Sequence, residues 1–363
     1  MIKGELKMNT SINHSRKVAL VVGANGVIGS NLIDHLITLP DWDIIGLSRR
    51  GGISTDRVTY VSVDLLQRSE VEHVLASFPT TTHIFYAAYQ DRPTWAELVE
   101  PNLNMLIHIV ESVEATSPQL EHISLMQGYK VYGAHLGAFP TPARETDAKP
   151  MPPEFNMAQQ DYLVHQQQGK DWTWSALRPS VVCGFSVGNP MNLAMVIAIY
   201  ATISKELQIP LRFPGKRGAY HSILEMTDAG LLAKATVWAA TTPACANQAL
   251  NINNGDVFRW ESLWPKIAHY FDMETAPPLS MNLNDMMKDK EALWDSIVSR
   301  YGLTAYTYAE VSSWAFGDFV FSWDYDFFAD GSKARRLGFH EYVDTEEMFI
   351  TIFEDFRKRK IIA

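Results

Sequence analysis

The run Gly23-Ala24-Asn25-Gly26-Val27-Ile28-Gly29 constrains this chain more than any other feature, because of where it stands. Before it lies an apolar, β-branched stretch, residues 18–22, that reads as a buried strand. After it, Val27 to Ile37 carries apolar residues at helical spacing. A strand, a glycine turn and a helix in that order build a phosphate cradle. Gly23 permits the tight turn, Gly26 lets the backbone approach a pyrophosphate, and Gly29 lets helix and strand pack closely. The helix then offers free N–H groups and a positive dipole end to an anion.

The same alternation continues. Strands are expected at Asp43–Leu47, Val58–Val63, His83–Tyr86 and His122–Met126, with a helix from Asn102 to Val113. Connections too long for hairpins imply a parallel sheet with helices on both faces. The expected fold is therefore α/β: a Rossmann-type, doubly wound parallel sheet with a smaller, mostly helical C-terminal substrate lobe. The expected organisation is a disordered tail over residues 1–16, a dinucleotide-binding domain over 17–190, and a substrate-covering lobe over 191–363, interleaved with the last strands of the sheet. The Pro-rich stretch Phe139–Pro153 reads as a loop near the site, Asn192–Lys205 as a long apolar helix, and Met281–Tyr301 as a helical pair.

Composition narrows the partners. A net charge of −10 argues against nucleic acid, whose binders concentrate positive charge. No apolar run approaches the roughly 20 residues of a membrane span. The only cysteines, Cys183 and Cys245, lie far apart without metal-ligand spacing, which suits free thiols in a reducing, cytoplasmic setting. A small-molecule substrate is expected, with a homodimer formed through helices on one sheet face and no metal.

Ser48-Arg49-Arg50 ends the second strand, where an acidic residue would hydrogen-bond the adenosine ribose of NAD. Guanidinium groups there match a 2′-phosphate in charge and fork geometry, so NADP(H) is expected. Alternatively the two arginines merely solvate a loop. Asp64-Leu65 follows the third strand and is placed for the adenine. Ala87-Ala88-Tyr89 follows the fourth and faces the nicotinamide ribose, with Tyr89 equally able to pack beneath its loop. The expected cofactor contacts are thus Gly23, Asn25, Gly26, Val27, Ile28, Ser48, Arg49, Arg50, Asp64, Leu65, Ala87, Ala88, Tyr89, Gln127, Lys130 and Val182.

Several further segments carry a family resemblance: Phe85 to Arg92, Gln127 to Gly133, Trp174 to Pro179, Gly184 to Ser186, Met191 to Leu193, Asn254 to Trp260, and Trp314 to Asp318. Together they resemble the progesterone 5-beta-reductase/iridoid synthase family of atypical short-chain dehydrogenases, from about Lys17 to the C-terminus. The resemblance implies NADPH-dependent 1,4-reduction of activated carbon–carbon double bonds, in enones or enals. It also puts the family's lysine on Lys130, with Val131 replacing the usual histidine.

One departure matters. The family carries a catalytic tyrosine in an Asn-Phe-Tyr-Tyr segment that opens a helix, and here the segment is Glu154-Phe155-Asn156-Met157. Depending on register, Phe155, Asn156 or Met157 takes the tyrosine's place, and none has a phenol. Tyr162, the nearest tyrosine downstream, is a catalytic candidate only with a register shift, since it lies roughly 7–10 Å further along a helix. An amide such as Asn156 can serve an oxyanion hole, but it can also be an ordinary cap or first-turn residue. Tyr129, Tyr132 and Tyr220 are remoter donors. The expected catalytic set is Lys130, Asn156 and Tyr162. The expected function is NADPH-dependent reduction of a small enone, enal or related carbonyl compound. A non-catalytic NADPH-binding regulator and an NAD(P)-dependent epimerase/dehydratase on the same scaffold are the alternatives.

Overall fold

The computed structural model describes residues 16–363. The tail expected over residues 1–16 falls outside the described residues except for Arg16, which is held by the Trp42 carbonyl and the Asp43 carboxylate. Then follow β1 (Lys17–Val22), α1 (Val27–Ile37), β2 (Trp42–Ser48), β3 (Val58–Ser62), α2 (Arg68–Leu75), β4 (His83–Tyr86), α3 (Trp95–Thr116), β5 (His122–Met126), α4 (Phe155–Gln166) and β6 (Thr173–Pro179). Beyond these come β7 (Val181–Cys183), α5 (Leu193–Glu206), β8 (Leu211–Arg212), α6 (Arg217–His221), β9 (Met226–Asp228), α7 (Ala229–Thr241) and β10 (Gln248–Ile252). The chain ends with α8 (Trp260–Tyr270), β11 (Thr275–Ala276), α9 (Leu283–Met287), α10 (Glu291–Tyr301), α11 (Tyr308–Val311), α12 (Trp314–Phe321), α13 (Ser332–Arg336) and α14 (Thr345–Lys358).

Seven strands form one parallel sheet in the order β3-β2-β1-β4-β5-β6-β10. The winding reverses between β1 and β4, and in open sheets of this kind ligands bind at the carboxyl ends of the strands beside that switch point. The strands are apolar on both sides because both faces are covered. In β1, Ala19 and Val21 join the layer of α1 and α7, while Leu20 and Val22 join that of α3 and α4. Strand β10 and helix α7, both beyond residue 190, belong to this sheet and its flanking layer. The C-terminal helices bury a third core around α5, almost every residue of which is buried.

Helix α3 begins earlier than the apolar spacing suggests. Pro101 reads as a breaker, yet Thr94 and Glu97 form a reciprocal capping box that starts the helix at Trp95, and buried Leu98, Asn102 and Met105 hold it across the proline. Helix α2 escapes a reading by periodicity because only Val71 and Leu75 on it are buried. Cys183 and Cys245 are both buried and unpaired.

The glycine turn is sterically enforced. A Cβ on Gly29 would stand 2.2 Å from the Gly23 carbonyl oxygen and 2.8 Å from its carbon. Gly29→Ala should therefore lower unfolding stability by roughly 1–3 kcal/mol through backbone displacement, read as a lower denaturant midpoint. An unchanged midpoint would show that the turn yields without cost.

Candidate functional site

The site begins at the carboxyl ends of β1 and β4. Gly23 has φ 90°, and a Cβ there would meet the Ala87 carbonyl oxygen at 2.8 Å. Gly26 is the N-cap of α1 and supplies no side-chain hydrogen bond to its amides. Those N–H groups are left for a ligand, as an anion cradle requires. Asn25 spends its amide on the Gly51 carbonyl at 2.8 Å, a carbonyl that Ser48 also reaches at 3.2 Å. Asn25 and Ser48 thereby shape the loop that carries Arg49 and Arg50, and both arginines are exposed. Arg49 touches Gln90 at 3.5 Å, and Arg50 lies against Gly188 near the Glu310 carboxylate.

Other expected cofactor contacts divide by side-chain accessibility. Ile28, Ala87 and Val182 pack together on one core beneath the turn, and Ala88 on the opposite one. Val27 and Leu65 are buried, so only their backbones can face a ligand. Asp64 holds its own turn, accepting from the Leu66 N–H at 3.0 Å. Gln127 is committed to the frame: its amide donates to the Asn156 carbonyl at 2.8 Å and its oxygen accepts from Arg178 at 2.9 Å.

Lys130 sits in a single 3-10 turn directly beyond β5. Its ammonium lies 5.6 Å from the Tyr89 ring centre, 4.9 Å from that of Trp95 and 5.9 Å from that of Phe155. It makes no hydrogen bond or ion pair to protein among the described residues. Burial lowers its pKa, opposed by the charges of Glu154 and Asp91. A desolvated cation walled by aromatic faces attracts negative charge developing beside it. Tyr89 faces Lys130 with its ring while its hydroxyl donates to Asp91 at 2.9 Å.

The turn that carries Lys130 is braced from behind. Tyr129 donates to the buried Glu225 carboxylate, which also accepts from the Ala329 N–H at 2.8 Å. Tyr132 donates to Asn251. Arg178, 1% exposed, bonds Gln127, Tyr132, the Glu145 carbonyl and Gln160. The Phe139–Pro153 loop is fastened to this frame through Glu145 and through a bridge between Ala143 and Ala329. Tyr129 and Tyr132 are consequently bracing residues rather than spare donors.

Two catalytic expectations change. Tyr162 does not reach the site: its side chain packs into the core between α4 and the sheet, its buried hydroxyl has no partner, and the charges that it feels are Glu111, Glu114 and Arg68. It lies on α4 two turns past the segment beside Lys130, and no register shift brings it back. Asn156 is a buried first-turn residue whose amide donates to Glu154 at 2.6 Å, so one of its two N–H groups is already used. Glu154, which caps α4 through the Met157 N–H at 2.9 Å, is a neighbour of Lys130 that sequence reasoning missed, and burial raises its pKa. Trp95 was missed as well. Its only signal is the first helical position after the Thr94 capping box.

With this geometry in view, the comparisons are consistent with one another. Residues 53–363 match the PRISE-like Rossmann-fold domain. An (S)-8-oxocitronellyl enol synthase from Nepeta racemosa is 34% identical over 92% of this chain and 88% of its own. The chain belongs to the progesterone 5-beta-reductase/iridoid synthase-like family. A short chain dehydrogenase from Penicillium aethiopicum is 30% identical over 95% of this chain and 99% of its own, and this family member is an oxidoreductase of the short-chain dehydrogenase/reductase superfamily. Among solved structures, UDP-glucose 4-epimerase from Thermotoga maritima superposes with a TM-score of 0.68 at 17% identity, covering 94% of this chain and 99% of that one. At that identity the likeness is one of fold. No helix among the described residues is long and apolar enough to cross a membrane.

The brace has a pH signature. Burial raises the Glu225 pKa to about 8, so the folded protein keeps a proton that the unfolded chain releases above about 4.3. Between those values each rise of one pH unit should cost this group's contribution up to about 1.4 kcal/mol of stability. Melting temperatures across that window should fall more steeply for wild type than for Glu225→Gln. Equal slopes would mean that Glu225 is not the group holding the proton.

Proposed function

We propose that this family member uses NADPH to reduce a small α,β-unsaturated aldehyde or ketone. The observation that carries the reading is the Lys130 ammonium, desolvated, unpaired among the described residues and held among Tyr89, Trp95 and Phe155. The residues present fit a dinucleotide: the Gly23–Ala87 contact leaves no room for a side chain, and no side chain caps α1. The pyrophosphate would lie on the amides that follow Gly26, and the 2′-phosphate against Arg49 and Arg50. A solved relative in fold, UDP-glucose 4-epimerase from Thermus thermophilus, is a complex with NAD, with a TM-score of 0.66 and 18% identity. The choice of NADPH here rests on the two arginines.

When bound, the reduced nicotinamide supplies the hydride. The chain's part is to manage the charge that results. As the β-carbon gains its hydride, the alkene pair shifts toward the carbonyl carbon and the carbonyl pair moves onto oxygen. Lys130 holds that oxygen's negative charge in a site where rings rather than water surround the cation, so the attraction is weakly screened. A solvent proton then completes the α-carbon. Tyr89, Trp95 and Phe155 present flat apolar faces to the substrate body. Epimerisation and dehydration need a tyrosine base, and the structure brings Tyr162, Tyr129 and Tyr132 to other duties.

NADPH oxidation with a panel of enals and enones tests the reading, and wild-type protein that consumes no NADPH with any of them would refute it. Lys130→Ala should lower kcat/KM about a hundredfold or more. Because activity needs the ammonium and burial lowers its pKa, wild-type turnover should fail on the alkaline side below the ordinary lysine value of about 10.4. Replacing Arg49 and Arg50 together by alanine should cost roughly 1.5–3 kcal/mol in NADPH binding per lost charge-assisted contact and erode discrimination against NADH. Unchanged discrimination would remove the 2′-phosphate role.

A further inference from the structure

We propose that His135 is a substrate-contacting residue, donating to the carbonyl oxygen beside Lys130 the hydrogen bond that the absent phenol would have made. The proposal rests on the reductase reading and deepens it. His135 follows the turn that carries Lys130, beyond Gly133, whose φ of 80° closes that turn. Its ring lies 4.6 Å from the Trp95 ring at 64°, and the Lys130 ammonium lies 4.9 Å from the same indole. Lysine and imidazole thus flank one aromatic wall of the site.

The imidazole has nothing to hold it in place by hydrogen bonding. Neither ring nitrogen has a protein partner among the described residues: Nδ1 is sealed from water, and Nε2, which is not, is the nitrogen left to meet a substrate. Elsewhere the fold satisfies its enclosed histidines: His83 meets Thr82, His108 meets the Leu65 carbonyl, and His122 meets Thr173 and Ser175. A sealed polar atom without a partner is a cost that folds avoid.

Charge favours a donor over a second cation. Burial, and then the Lys130 charge, push the His135 pKa down to about 4, with Asp91 and Glu154 the carboxylates across the site. Near neutral pH the ring therefore carries one N–H and one lone pair. It can donate to an oxygen without adding a repelling charge beside the ammonium. As negative charge collects on that oxygen, the N–H and the ammonium strengthen together. No bond to His135 forms or breaks, and its proton stays on nitrogen.

The experiment compares wild type with His135→Phe and His135→Gln, in NADPH turnover with the enal and enone panel, NADPH binding and thermal melting. Because the imidazole has no protein partner to orphan, melting and NADPH affinity should stay near wild type in both variants. Phenylalanine should lower kcat about ten- to a hundredfold, and glutamine, whose amide N–H reaches the Nε2 position, should recover much of the loss. A kcat for His135→Phe within about twofold of wild type, or no recovery with glutamine, overturns the proposal while leaving the reductase reading intact. Should wild type itself consume no NADPH, the reductase reading falls, and binding of 4-nitrophenolate to the NADP-loaded protein decides His135 separately. Roughly tenfold weaker binding to His135→Phe supports the oxyanion contact, and equal binding overturns it.

Discussion

A single close approach sets the geometry of the site: the Ala87 carbonyl occupies the space where a side chain on Gly23 would begin. That contact joins the carboxyl ends of β1 and β4 at the point where the sheet reverses its winding. It places the free amides of α1 and the segment Ala87-Ala88-Tyr89 on one floor. Tyr89 then reaches the Lys130 ammonium, which arrives from β5. Without that approach the cradle and the cation would be two separate features.

The second constraint is the low polarity around that cation. Among the described residues Lys130 has no bonded counterion, and it is walled by three rings, while two carboxylates whose charges it feels have other partners: Asp91 takes the Tyr89 hydroxyl, and Glu154 caps α4. A salt bridge would have quenched the ammonium. Keeping the carboxylates occupied leaves its field open to whatever binds beside it, and the reduced hydration strengthens that field.

Much of this was legible in the residues. The strand–glycine–helix run placed β1 and α1 correctly, since steric exclusion at Gly23 and Gly29 is local in sequence. The apolar strands were legible because a doubly covered sheet leaves little choice of residue. Helix α3 was read too short because it was read from apolar spacing alone, which begins well after the capping box at Thr94. The site was legible where backbone chemistry defines it and obscure where packing does. Lys130 follows from its place after β5, but Trp95, Glu154 and the withdrawal of Tyr162 depend on which face of a helix meets the sheet. Gln127 looked like a cofactor contact and proves to be committed to Arg178 and Asn156.

Arg178 has a consequence for how such a site can evolve. One guanidinium ties β5, the 3-10 turn, the loop through Glu145 and helix α4 to the end of β6, through neutral acceptors. The frame is thus secured from the rear, independently of whichever groups line the reacting face. Groups on that face can be exchanged while the scaffold behind them keeps its shape.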